Sequence, residues 1–204
     1  MSRHPIRPFV VAVAALILGA CSLTRPTPVK QMFLIDAPPL TAVTPASPLT
    51  ARIGTVTVAA PYRDRTFVVR EADQRFETDF YHEYVVAPAP MIAEAVARAL
   101  VQANVFANVI PPGAPPEAEL TIDAFVGSLY ADNRDPKQPF AELAITFYVS
   151  RTDRGQVPTW SKSYQRRVAL GTASAENYVS AQSASLGEIL GELSRDLAAQ
   201  RFVR

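Results

Sequence analysis

Two long runs of alternating residues narrow what this 204-residue chain can become. In AELTIDAFVGSLYA the apolar positions Leu120, Ile122, Ala124 and Val126 are in phase, and in AELAITFYVSRT the phase is carried by Leu143, Ile145, Phe147 and Val149. Period two places alternate side chains on opposite faces of a strand, so each run predicts a strand with one buried and one wetter face. The polar, proline-containing DNRDPKQP between them reads as a hairpin loop. After a turn around Asp153 to Pro158, TWSKSYQRRVAL alternates Trp160, Lys162, Tyr164, Arg166 and Val168. The three runs together predict an antiparallel meander.

Upstream, RIGTVTVAAPY and RTFVVR are β-rich runs separated by Pro61 to Asp64, which reads as a turn or loop between neighbouring strands. RFETDFYHEYVV follows as a strand of less regular alternation, VFANVI as a short one, and PPGAPPE as a breaker-rich loop. Two segments change period. In PMIAEAVARALVQAN, Met91, Ile92, Ala95, Val96, Ala99, Leu100 and Ala103 share a helical face, with proline at the first turn and Asn104 as the stop. Near the end, Ser174 is the expected N-cap of a second helix whose stripe runs through Val179, Gln182, Leu186, Ile189, Leu190, Leu193 and Leu197. The order predicts an α+β fold: a mainly antiparallel sheet with two amphipathic helices packed on it, in a single domain over residues 51–204.

The amino-terminal stretch has a different logic. Arg3 and Arg7 precede an apolar run from Phe9 to Leu18, and small residues lead into the only cysteine, Cys21. A positive end, a short apolar core and a small-residue cleavage site describe a secretory signal over residues 1–20, about half the length of a membrane span. A lone thiol in an oxidising compartment is unusual, whether as a core cysteine or as a disulfide partner. Leu18-Gly19-Ala20-Cys21 resembles the lipobox of bacterial lipoproteins, and that resemblance implies cleavage before Cys21 and a diacylglyceryl and acyl anchor on it. Ser22 in the next position implies outer-membrane sorting. Residues 21–50, rich in Pro26, Pro28, Pro38, Pro39, Pro45 and Pro48, read as anchor plus an extended, semi-rigid tether, interrupted by a possible first strand over 31–36.

Removal of the leader leaves 18 basic against 19 acidic residues and one histidine, His82. That balance argues against nucleic acid as a partner. No Gly-x-Ser-x-Gly elbow is present, since Gly127-Ser128 and Gly171-Thr172-Ala173-Ser174 do not fit one, and no glycine-rich phosphate loop exists. His82 lies beside Glu83 and three residues after Asp79, without a second histidine or free thiol to complete common zinc ligation. The expectation is a non-enzymatic protein with no metal and no cofactor beyond the anchor. Two basic and aromatic stretches are candidates for contact with a partner or with lipid headgroups: Tyr62, Arg63, Arg65 and Arg70, and Lys162, Tyr164, Arg166 and Arg167. The competing reading is a solvated sheet face with cations guarding an edge.

The lipobox, the proline-rich segment, IGTVTVAAPYRDRTFVVR, YHEYVVAPAPMIAEAVARAL, AELTIDAF and YVSAQSASLGEILGELSRDLA, in that order, resemble the PqiC-like ABC-type transport auxiliary lipoprotein family. Tyr84 stands about where that family often has a tryptophan, which marks it as a further candidate contact. The resemblance implies a lipoprotein of the outer membrane's inner leaflet, facing the periplasm. Its implied partners are an MCE-domain protein and an inner-membrane ABC permease and ATPase that move phospholipid or sterol-like cargo. A homo-oligomeric ring is also implied. Two alternatives stay open: an outer-membrane scaffold lipoprotein without lipid traffic, and a periplasmic lipid-active enzyme using Glu77, Asp79, His82 and Glu83.

Overall fold

A computed structural model describes residues 29–43, 47–114, 118–154, 157–200 and 202. The expected signal and lipobox, including Leu18, Gly19, Ala20 and Cys21, lie outside the described residues. The two alternating runs become β6 (Leu120–Asp132) and β7 (Phe140–Arg151), an antiparallel pair in which Ile122 faces Val149, Ala124 faces Phe147 and Val126 faces Ile145. β8 (Pro158–Ala169) continues the meander against β7. On the other side of β6, two strands lie end to end: β2 (Ser47–Val58) runs parallel to its first half and β3 (Thr66–Arg70) parallel to its last residues. The sheet therefore forks. β5 (Phe106–Ile110) pairs with β2 in parallel, while β4 (Phe76–Tyr84) pairs with β3 antiparallel and with β1 (Gln31–Phe33) in parallel.

The longest ladders are antiparallel and the short ones mostly parallel, so the fold is α+β with a mixed sheet. The RIGTVTVAAPY and RTFVVR runs, expected as neighbouring strands, do not pair with each other. The proline-containing 3₁₀ turn Ala60–Tyr62 advances the chain without reversing it, and Ala59 N donates to Val126 O at 2.9 Å, which keeps the chain on the same edge of β6. A bulge in β2 also needs glycine. A Cβ on Gly54 would fall on Asp123 Oδ1 and 2.7 Å from Thr121 Cγ2, where Asp123 Oδ1 accepts from Thr55 N.

Both helices cover one face. α1 (Pro88–Gln102) packs on β2 and β5, α2 (Ala175–Ala199) packs on β7 and β8, and the two touch each other. α1 starts on proline and stops where Asn104 takes a φ of 53°, a left-handed step that asparagine tolerates. Ser174 caps α2 as expected, its side chain accepting from Asn177 N. Leu186, Ile189, Leu190, Leu193 and Leu197 are fully buried, each contributing about 1.5–3 kcal/mol of burial. Among the described residues no helix is long and apolar enough to cross a membrane.

Of the segment expected as a stand-off tether up to residue 50, the described residues 31–43 and 47–50 pack as part of the domain. Gln31–Phe33 form β1, shorter than the strand expected over 31–36, and Ser47–Thr50 already belong to β2. After β1, residues 34–43 lie as a strap across the helices. Asp36 N donates to Ser183 Oγ at 3.1 Å, Arg98 pairs with Asp36 at 2.6 Å, and Val43 N donates to Ala103 O at 2.7 Å. Pro38 sits against Gly187, and a groove of about 740 Å³ runs between strap and α2. The proline content does enforce an extended chain, but an extended chain can still be pinned by side chains from both helices.

Candidate functional site

The seven candidate contact residues separate into four environments. Tyr84 and Tyr164 are core residues. The Tyr84 hydroxyl shares a 3.0 Å hydrogen bond with that of Tyr178, and the Tyr164 hydroxyl donates to Asp196 Oδ2 at 2.6 Å. Burial pushes all three phenols above their ordinary range; for Tyr164, Asp196 adds to the rise. Arg65 and Arg166 are engaged internally. Arg65 donates to Tyr84 O at 2.7 Å and to Glu83 at 3.0 Å. Arg166 bonds Glu188 at 3.0 Å and Glu192 at 2.5 Å, while Lys162 bonds Glu192 and Asp196 at 3.1 and 2.7 Å. Alternate cations of β8 thus meet carboxylates spaced four apart on α2. The second basic stretch, read as a contact surface, joins helix to sheet instead.

Tyr62 and Arg70 come together on the helix-free face. The turn after β2 drops Tyr62 onto Tyr130 of β6, rings stacked at 5.8 Å, and Phe76 of β4 meets Tyr130 edge-on at 5.7 Å. The Arg70 guanidinium lies 5.5 Å from the Phe76 ring and donates to Asp73 O at 2.8 Å. Next to it Asp132, 2% exposed, takes Arg134 at 2.9 Å. Burial opposes the Asp132 charge, but hydrogen bonds from the Arg134 side chain and backbone outweigh it, so its carboxyl is held below the usual range. Across the sheet, buried Glu142 accepts from Arg167 Nε at 2.7 Å, and Arg167 lies 5.3 Å from the Phe140 ring. Burial, with Glu142 nearby, raises the phenols of Tyr62 and Tyr130, so both stay protonated donors at neutral pH. Arg70 Nε is buried without a partner. Arg63 alone of the seven is exposed with no side-chain bond among the described residues.

In this cluster Tyr62 and Tyr130 are buried, and Phe76, 42% exposed, is the one ring that reaches solvent. Its two buried carboxylates, Asp132 and Glu142, are each held by a guanidinium. On the opposite face, at the start of α2, a cavity of about 200 Å³ is lined by Phe67, Val69, Asn133, Ser174 and Tyr178. Asn133 Oδ1 is buried there without a hydrogen bond.

A further feature escapes periodicity altogether. In β4 the pairing jumps from Thr66 with Glu83 to Val68 with Thr78, so residues 79–82 leave the β3 ladder as a bulge. Asp79 Oδ1 accepts from Tyr81 N and His82 N at 2.8 and 3.1 Å, and Oδ2 lies 2.6 Å from His82 Nδ1. Burial opposes the Asp79 charge, yet the bond shared with the His82 ring and the two backbone N–H groups together hold its carboxyl below the usual range. Glu83 turns instead to Arg65 and Lys30, and no group of three metal-ligating side chains is present among the described residues. The bulge pushes Phe80 and Tyr81 into solvent. The irregular alternation of FETDFYHEY is its only trace in the sequence.

No family model matches the sequence, and no curated protein matches it. Solved structures do. A Xanthomonas campestris protein described under the DUF330 family model superposes with a TM-score of 0.71 at 12% identity, covering 80% of this chain and 92% of that one. An uncharacterized protein superposes with a TM-score of 0.65 at 9% identity, covering 83% and 99%. At such identities the likeness establishes a shared fold. A dodecameric PelC of Paraburkholderia phytofirmans aligns with a TM-score of only 0.40, at 14% identity over 78% of this chain and 92% of that one, too little to bear on assembly.

Proposed function

We propose that the chain is an envelope lipoprotein, anchored through Cys21 in the inner leaflet of the outer membrane. There it acts as the auxiliary component of an ABC transporter and MCE-domain system that moves lipid, by docking rather than by catalysis. The observation that carries this reading is the lone Cys21 directly after Leu18-Gly19-Ala20, followed within ten residues by the first strand of the domain. The fold shared with the DUF330 protein is compatible with it, and the exposed Phe76, with the Arg70 guanidinium 5.5 Å from its ring, offers a place for a protein partner to dock.

Two measurements test the two halves of the proposal. Fatty-acid labelling of the full chain is expected, with loss of label in Cys21→Ser; equal labelling in both would remove Cys21 as the anchor. Affinity capture of the full chain from detergent-solubilised membranes is expected to retain an MCE-domain protein, less so with Phe76→Ala. Repeated capture without one would overturn the transport assignment and leave the scaffold alternative.

A further inference from the structure

The geometry points to a membrane-contacting edge: the β4 bulge and the outer face of β1 rest in the headgroup region of the bilayer that holds the anchor. This deepens the proposed function and rests on its placement of the anchor at Cys21.

The first argument is exposure. Phe80 is 70% exposed, Met32 58%, Leu34 53% and Val85 48%, with Tyr81 and Val86 also in solvent. The pairing of β1 with β4 sets Met32 opposite Glu83 and Phe33 opposite Tyr84, and Val85 N donates to Phe33 O at 2.9 Å. Leu34 and Val85 therefore fall on the same face as Met32, while Phe33 turns inward against Phe67. The result is an apolar strip of Met32, Leu34 and Val85 beside the two aromatic rings of the bulge, interleaved with the Lys30–Glu83–Arg65 ion pairs. Of the other exposed large apolar side chains among the described residues, Val29 precedes β1, Phe76 lies at the far end of β4 against Tyr130, and Val101, Phe125 and Val157 lie elsewhere in the fold. An apolar strip of this kind on an isolated domain marks an interaction surface.

The second argument is reach. Nine Cα steps separate Cys21 from Lys30, which at full extension is about 30 Å, less than the diameter of about 40 Å expected for a domain of this size. The anchor consequently holds β1 and its neighbours within that distance of the bilayer. The apolar strip sits where the chain from the membrane arrives.

The third argument is chemistry. Phenyl and phenol rings favour the interface between hydrocarbon and water, and a phenol keeps its hydroxyl among headgroups. Asp79 locks the bulge, so Phe80 and Tyr81 are presented with little ordering left to do on contact. Lys30, with its ammonium 5.2 Å from the Phe80 ring, and Arg65 border the strip, but Glu83 pairs with both. The contact is thus apolar in character and weakly dependent on salt.

The experiment uses the full acylated chain in phosphatidylethanolamine and phosphatidylglycerol vesicles, with or without brominated acyl chains. The natural protein has one tryptophan, Trp160 on β8, at the opposite edge of the sheet from β1. A Trp160→Phe, Phe80→Trp variant moves the only indole to the bulge, an exposed position where the exchange leaves the core alone. Its emission is expected to shift to the blue and to be quenched at least about twofold by brominated lipid, with Trp160 in the parent barely affected. An acylated, vesicle-bound variant with solvent-like, unquenched emission would overturn the membrane edge while leaving the anchor intact. A blue shift without quenching would also overturn it, in favour of a second copy or another protein on the strip. Absence of fatty-acid label on the full chain would remove the anchor itself, and the reach argument with it.

Discussion

Replacing Gly187 with alanine tests whether the strap is seated on α2. In an unconstrained helix the change stabilises by about 1 kcal/mol, because glycine loses more backbone freedom on folding than alanine does. Here the new Cβ would stand 2.6 Å from Pro38 Cδ and 2.7 Å from Cγ, distances that require movement. The proline ring is stiff, and the strap around it is held by Asp36 to Ser183 and Arg98 and by Val43 to Ala103. Overpacking of this kind costs about 1–3 kcal/mol. The expected net is a loss of about 0–2 kcal/mol. Gly191, one turn later, is the matched control: a Cβ there meets only Arg195 and Leu40 at 3.7 Å, so Gly191→Ala should gain about 0.5–1 kcal/mol. Urea unfolding of the purified proteins gives the difference directly, and Pro38→Ala should relieve most of the Gly187→Ala loss. If both alanines stabilise equally, the strap is not packed as described.

The buried hydroxyl pair predicts a coupling: Tyr84→Phe and Tyr178→Phe should each cost about 1–3 kcal/mol by orphaning the other hydroxyl, while the double variant costs clearly less than their sum. Additive losses in the unfolding cycle would mean the hydroxyls do not depend on each other. The β8–α2 ion pairs predict a pH dependence. Hydrogen bonds from Arg166 and then Lys162 depress the Glu192 carboxyl below its ordinary value of 4.5, so its contribution is present above that pH and is lost as pH falls through the depressed value. The urea midpoint of Glu192→Gln should accordingly lie below that of the parent at pH 7 and converge with it in acid; a gap that persists in acid would show a different origin.

How much of this was legible depended on the range of the interaction. Leu143, Ile145, Phe147 and Val149 declare their strand because alternation is local, and the α2 stripe from Leu186 to Leu197 does so because helical period is local too. Pro61 misled for the same reason: a proline signals a break, but whether the chain reverses or continues along β6 depends on a pairing partner 68 residues away, as Val58 opposite Val126 shows. Lys162 and Arg166 looked like free cations, since Glu188, Glu192 and Asp196 meet them only once α2 folds back on β8. Matching the four-residue spacing of Lys162 and Arg166 to the four-residue spacing of the acids would have found them. Tyr84 and Tyr164 were read as surface contacts because a polar tip does not reveal whether another polar tip waits inside.

The sequence by itself determined the signal-like leader, the position of Cys21, the element order and the apolar faces, all of which follow from contiguous patterns of charge and hydropathy. The tertiary structure alone decided that residues 34–43 form a strap, that β2 and β3 share one edge of β6, that Lys162 and Arg166 of β8 are neutralised by α2, and that Asp79 turns part of β4 outward so that Phe80 and Tyr81 stand in solvent. Each of these is a choice between partners distant in the chain, and such choices are made by packing and charge pairing that no local period encodes.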